Sequence, residues 1–254
     1  MKNRPDPANG IQSGGHGGSV QPGPRRAMTA VDRVGAFSGA AYVLLANIGS
    51  ALVGEGSARG ESPGQLILDE QQRIAENPWA RVAFAMLILA QLALIMFVGY
   101  LYTRLRNAGW LAATALVGGI AAIMAYLVSL TMVIAVFVLR EDMSPELARA
   151  LMDVDGAGHL VQLLPLGVFA LFASAAALVT GALGRVLSWA GMAIGTTSIA
   201  VLAATGLPAN EDFFVWPFLL VVLWMAVISL RWGFARNHPR VRAAALSPAN
   251  PVTN

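Results

Sequence analysis

Six stretches of this chain, about residues 34–53, 82–102, 110–139, 159–180, 188–207 and 214–231, are long, apolar and almost free of charge, Arg231 closing the last. Lipid offers no partner to a backbone N–H or C=O, so such stretches cross a hydrocarbon core of about 30 Å as helices that satisfy their own hydrogen bonds. The fold class is therefore all-α: a polytopic membrane protein built as a six-transmembrane-helix bundle. Charged residues make up 12% of the chain, half the roughly 25% usual in soluble proteins.

The charges are sorted between the connecting segments. The N-terminal tail, the second and fourth loops and the C-terminal tail hold twelve basic residues, Arg104, Arg106, Arg185 and Arg231 among them, against only Asp6 and Asp32. The first, third and fifth loops hold twelve acidic residues against Arg59, Arg73, Arg81, Arg140 and Arg149. Basic segments stay on the cytoplasmic side during insertion, so both termini are expected in the cytoplasm of a bacterial inner membrane. The pI near 9.8 is that retention signal, and no nucleic-acid partner is implied. Trp79, Trp110, Trp189, Trp216 and Trp232 fall at span ends, as an aromatic belt does.

Residues 1–30 and 237–254 are rich in Gly, Pro, Ser and Asn, have little to bury, and are expected to be disordered tails around a domain over 31–236. The first apolar run is longer than a signal h-region and no small-x-small site follows it, which fits an uncleaved signal anchor. Two short extracytoplasmic surface helices are expected, over about 62–76 and 144–154. Each opens on Ser-Pro, a cap followed by a residue suited to the first turn, and Gln65 stands at capping-box distance from Ser62. The third span, at about 1.5 Å per residue, reaches about 45 Å, so it must tilt, bend near Gly118-Gly119 or project beyond the lipid. Small residues four apart, as at Gly35/Gly39 and Gly191/Gly195, mark faces for close helix approach. Intramolecular packing is preferred there to a dimer interface.

With no cysteine, disulfides, thiolate nucleophiles, iron–sulfur clusters and thiolate zinc sites are excluded. The three histidines, His16, His159 and His238, are not central in any span, which argues against haem ligation. No Asp, Glu, Lys or Arg is expected at membrane depth, which argues against ion-coupled transport. Ser38 has no intramembrane base beside it, and helix packing is its better reading. No catalytic residue and no cofactor is assigned.

Two groups of residues remain as candidates. Asn47, Gln91, Tyr126 and Gln162 are neutral polar groups within spans; they either bond helix to helix or line an outward-facing cavity for an uncharged ligand. The run from Asp153 through Asp155, Gly156 and Gly158 to His159, with Glu211 and Asp212 from the last outer loop, carries carboxylates and an imidazole fit for a divalent cation. It lacks the rest of an EF-hand, and solvated acids at a helix end that turns through glycine are the better reading.

The small-rich first span, the run Phe97-Val98-Gly99-Tyr100-Leu101-Tyr102 before a basic turn, and Gly184-Arg185-Val186-Leu187-Ser188-Trp189-Ala190-Gly191 between the fourth and fifth spans resemble a bacterial six-span family, domain of unknown function 4386. The likeness covers about residues 33–232; where the family tends to have Pro-Arg, this chain has Gly184-Arg185. The resemblance implies a fold and a topology and brings no catalytic residue. The expected role is a non-enzymatic module that binds a neutral or apolar ligand or serves as a permease component. The alternative is a structural or regulatory subunit packing against another membrane protein or a second copy. Beyond these the lipid bilayer is the partner.

Overall fold

The computed structural model describes residues 29–53, 63–205 and 212–234. They form seven helices: α1 (Ala30–Val53), α2 (Gly64–Glu76), α3 (Ala80–Leu105), α4 (Trp110–Leu139), α5 (Pro145–Thr180), α6 (Arg185–Thr205) and α7 (Asp212–Gly233), with a 3-10 turn at Arg106–Ala108. No strand occurs among the described residues. All but α2 are long and apolar enough to cross a membrane, so the six-span all-α bundle stands. Residues 1–28 and 237–254 of the two tails, and Ser62, lie outside the described residues.

Successive spans run antiparallel and meet where one partner has no side chain. On α1, a Cβ at Gly35 would come within 2.8 Å of Tyr100, and one at Gly39 within 2.8 Å of Phe97, both on α3. On α4, Gly118 lies against the backbone of Pro165 and Phe169, and Gly119 against Val98. Gly118-Gly119 is thus a double crossing point inside a continuous helix. Gly195 of α6 lies against Leu171 and Gly167 of α5. These glycines are consumed within the molecule, as packing in lipid requires, since dispersion across a close interface replaces the hydrophobic drive. Ser229 closes α7 on α1: its hydroxyl donates to the Ala36 carbonyl and accepts from the Ala40 N–H at 2.9 Å.

The fourth span corrects the expectation. Instead of a surface helix over 144–154 followed by a span from 159, α5 is one helix of 36 residues, about 54 Å long at 1.5 Å per residue. Ser144 caps it as predicted, accepting from the Leu147 N–H at 3.3 Å, but the chain does not leave the helix at Gly156 or Gly158. Each glycine costs a helix about 1 kcal/mol. Leaving the helix there would instead strand several backbone groups against packed α4, a larger penalty at low water content. Gly158 also permits the approach, since a Cβ on it would stand 3.2 Å from the Ser129 Cβ.

Among the described residues the one separate surface helix is therefore α2. It covers the ends of α4 and α5 that project past the other spans. Ile67 is buried with Val136, Met143 and Ala148, and Leu68, Leu151 and Met152 pack around them. Arg140 donates to Gln72 at 2.9 Å, and Asn77 ties the helix to the Leu52 carbonyl at 3.0 Å. Gln65 bonds Asp69 at 3.1 Å.

Folding collects the sorted charges at opposite ends of the bundle. Arg33, Arg104, Arg106, Arg185 and Arg231 share one end with Asp32, while all other described carboxylates lie at the α2 end. Trp79, Trp110, Trp189 and Trp216 are exposed at span ends, but Trp232 departs from the belt, being only 7% exposed. Its ring packs edge-on against Tyr100 at 5.8 Å, and its indole N–H reaches the Ala182 carbonyl at 3.4 Å.

Candidate functional site

Because α5 continues through Gly156 and Gly158, Asp155, His159 and Gln162 fall at i, i+4 and i+7, on one face directed at α4. Opposite them α4 presents Tyr126 and Ser129, one turn apart. The Ser129 hydroxyl donates to the Asp155 carboxylate in a very short contact, and it lies 3.0 Å from both the Asp155 carbonyl and the His159 Nδ1. His159 Nδ1 is in turn 3.0 Å from the Asp155 carbonyl and 3.4 Å from its carboxylate. The Tyr126 ring stands edge-on to the imidazole at 5.9 Å. Ser129 and Asp155 are buried, at 1% and 3% exposure, whereas the His159 side chain is 42% exposed.

This overturns one expectation. Asp155 is not a solvated acid at a helix end, and it packs between α4 and α5 beside a half-exposed imidazole. Ser129 follows Trp110 by nineteen residues, about 28 Å along the helix, which places the pair at the edge of a 30 Å hydrocarbon layer. A serine other than Ser38, Ser129, also has an imidazole beside it. The geometry is nonetheless poor for acyl transfer. A catalytic relay places the carboxylate on the ring nitrogen remote from serine; here Ser129 and Asp155 gather at the same nitrogen, and Asp155 takes the hydroxyl proton itself. With Ser129 1% exposed, its oxygen faces packed helix rather than substrate. The arrangement is a polar interhelical clasp whose hydrogen bonds compensate the burial of the Asp155 carboxyl.

Among the described residues the candidate cation ligands do not come together as a set. Asp155 and His159 meet, but Asp153 points away and pairs with Arg149 at 3.9 Å. Glu211 lies outside the described residues, and Asp212 opens α7 at the same end of the bundle. No group of three His, Asp or Glu among the described residues is placed to hold a metal ion.

Of the neutral candidates, Asn47 is a miss. It is exposed on α1 and returns its amide to the Val43 carbonyl at 2.7 Å. Gln91 and Tyr126 lie at about one level, and Gln162 lies about a turn away along α5. Phe84 meets Phe137 at 5.0 Å, and Val98 lies against Gly119; Gln91, midway between Phe84 and Val98, therefore lies opposite the Tyr126–Ser129 turn. Gln162 is 2% exposed and Gln91 3% exposed. The Gln91 Oε1 is buried without a hydrogen-bond partner, as is the Gln71 Oε1 on α2.

Sequence reasoning missed the partnership of Ser129 with Asp155 and His159, and the burial of Gln71. The signal existed: carrying the 3.6-residue period through the two glycines aligns Asp155, His159 and Gln162 on one face. No family model, curated protein or solved structure matches the chain.

Proposed function

We propose that this chain is a non-enzymatic, multi-pass module of a bacterial inner membrane, termini cytoplasmic, that holds a small neutral molecule in the polar layer between α3, α4 and α5. The observation that carries this reading is the Gln91 amide oxygen, 3% exposed and without a partner. A buried acceptor left unpaired costs about 1–3 kcal/mol, and native structures hold few of them. The same layer holds the clasp that fixes α4 on α5, so the site's walls are rigid. An acceptor calls for a donor, so the ligand is an uncharged amphiphile bearing a hydroxyl or amide N–H.

Decanol and its methyl ether test this, because they differ in the one donor. Decanol raises the melting midpoint of the protein in neutral detergent and the ether does not; Gln91→Leu abolishes the difference. Equal responses to the two probes, or an unchanged response in the variant, refute the reading.

A packing subunit is the second reading, and α6 is what favours it. It is the least buried of the six spans, and its exposed face is made of Ala190, Ala193, Thr196, Thr197 and Ala200. The absence of native cysteine makes Ala193→Cys a clean probe: a disulfide-linked dimer in membranes favours this alternative over the first reading.

A further inference from the structure

We propose that the end of the bundle opposite α2 carries a binding site for the headgroup of an anionic phospholipid, formed by Arg104 of α3, Arg185 of α6 and Arg231 of α7.

The two ends of the molecule treat the same residue type differently. At the α2 end three of the four described arginines are paired, Arg73 with Glu70 at 2.5 Å, Arg140 with Glu141 at 3.4 Å and Arg149 with Asp153 at 3.9 Å, and Arg81 is not. At the other end, Arg33, Arg104, Arg106, Arg185 and Arg231 make no ion pair with any described residue. The one described carboxylate there, Asp32, is engaged at the start of α1, accepting from the Thr29 N–H and hydroxyl at 3.0 Å each. Five guanidinium groups thus share one described carboxylate, Asp32, whose charge is felt by Arg104 but which bridges none of them.

Packing positions two of them, and the chain sets the third beside the turn that one of the two reaches. Arg104 Nε donates to the Tyr100 hydroxyl at 3.0 Å, and its guanidinium carbon stands 5.4 Å from the Tyr100 ring and 6.0 Å from the Trp232 ring. The two aromatic faces hold the group by cation–π attraction while its terminal nitrogens remain for a phosphate fork. This explains why Trp232 leaves the belt: it is buried under Arg104 and tied to Ala182 in the α5–α6 turn. Arg231 precedes Trp232 and reaches the same turn, its Nη2 lying 3.4 Å from where a Gly184 Cβ would be. Arg185 follows Gly184. Planar guanidinium groups match a phosphodiester better than lysine does, and basic pockets between spans recognise anionic headgroups at about 1 kcal/mol per residue. A zwitterionic lipid brings its own cation and leaves this charge unmatched.

The test compares melting midpoints of the full chain in dodecylmaltoside micelles doped with phosphatidylglycerol or, at equal mole fraction, phosphatidylcholine. Phosphatidylglycerol should give the higher midpoint, with the difference shrinking in high salt. Arg185→Gln/Arg231→Gln should lose it, affinity falling about 25-fold at about fivefold per arginine. Arg81→Gln/Arg149→Gln, at the far end, should keep it. Equal midpoints in the two lipids, or the same loss from both double variants, overturn the site, the latter leaving only net-charge attraction. Native mass spectrometry of the unmodified protein is the second measurement. A phosphatidylglycerol adduct surviving where phosphatidylcholine is lost supports the proposal, and equal loss overturns it.

Discussion

Gly195→Ala tests the packing logic of the bundle with the smallest possible perturbation. The added Cβ would stand 2.5 Å from the Leu171 nitrogen and 2.6 Å from the Gly167 oxygen. Both are backbone atoms, so no rotamer change relieves the contact. Ordinary contact begins near 3.4 Å, which requires α6 to withdraw from α5 by about 0.9 Å. A gap of 0.5–1 Å forfeits about a quarter to a half of each atom pair's 0.1–0.2 kcal/mol. Over a few tens of pairs along the crossing, the loss is about 1–3 kcal/mol, in line with measured overpacking. Alanine's helix propensity returns up to about 1 kcal/mol, and that gain is isolated by Gly99→Ala, where a Cβ meets nothing within 4 Å. The two variants should therefore differ by about 1–3 kcal/mol in unfolding free energy, measured by titrating SDS into dodecylmaltoside micelles and following helix signal. Equal stabilities for Gly195→Ala and Gly99→Ala would refute the claim that backbone contact at the α5–α6 crossing holds the bundle together.

Ser129→Ala should cost about 1–3 kcal/mol by leaving the buried Asp155 carboxylate short of a donor, and a double-mutant cycle with Asp155→Asn should show non-additivity; additive losses in the SDS titration would separate the two residues. Ser229→Ala removes both its contacts to α1 and should cost about 1 kcal/mol in the same assay, no loss indicating that the α1–α7 clasp is idle. Calorimetric titration with zinc or manganese should release no binding heat, because Asp155 is engaged by Ser129 and Asp153 faces away; heat abolished by Asp155→Ala would contradict this. Reporter fusions at Asn107 should read cytoplasmic and fusions at Asp142 external, a reversed pattern overturning the orientation drawn from charge.

The span positions were legible because lipid imposes one rule on every stretch of backbone, and α4 (Trp110–Leu139) has the bounds its hydropathy predicts. Helix faces were partly legible: the small-residue pairs at Gly35/Gly39 and Gly191/Gly195 sit at crossings within the chain. The site was not. Its residues are those where local and tertiary preferences conflict, since Gly156 and Gly158 signal a helix end while packing against Ser129 keeps α5 intact. Asn47 failed for the opposite reason. Its amide was counted as needing a partner on another helix, yet it is satisfied by its own, at the Val43 carbonyl. Trp232 shows the same limit, as its place at a span end says nothing of the arginine it packs beneath.

That α5 is a single rod has a mechanical consequence. If α5 tilts as one body, its natural fulcrum is the close contact of Gly118 on α4 with the Pro165 carbonyl, a Cβ there coming within 3.0 Å. From that fulcrum its arms extend about 30 Å toward Pro145 and about 22 Å toward Thr180 at 1.5 Å per residue. A tilt of five degrees displaces the first end by about 2.6 Å and the second by about 2 Å in the opposite sense, for a straight rod of that rise. The lobe under α2 and the arginine end would then move as the two arms of a lever. Spin labels at Leu147→Cys and Val179→Cys, in a chain with no native thiol, would record the correlated displacements; independent motion of the two ends would place a hinge at Pro165 instead.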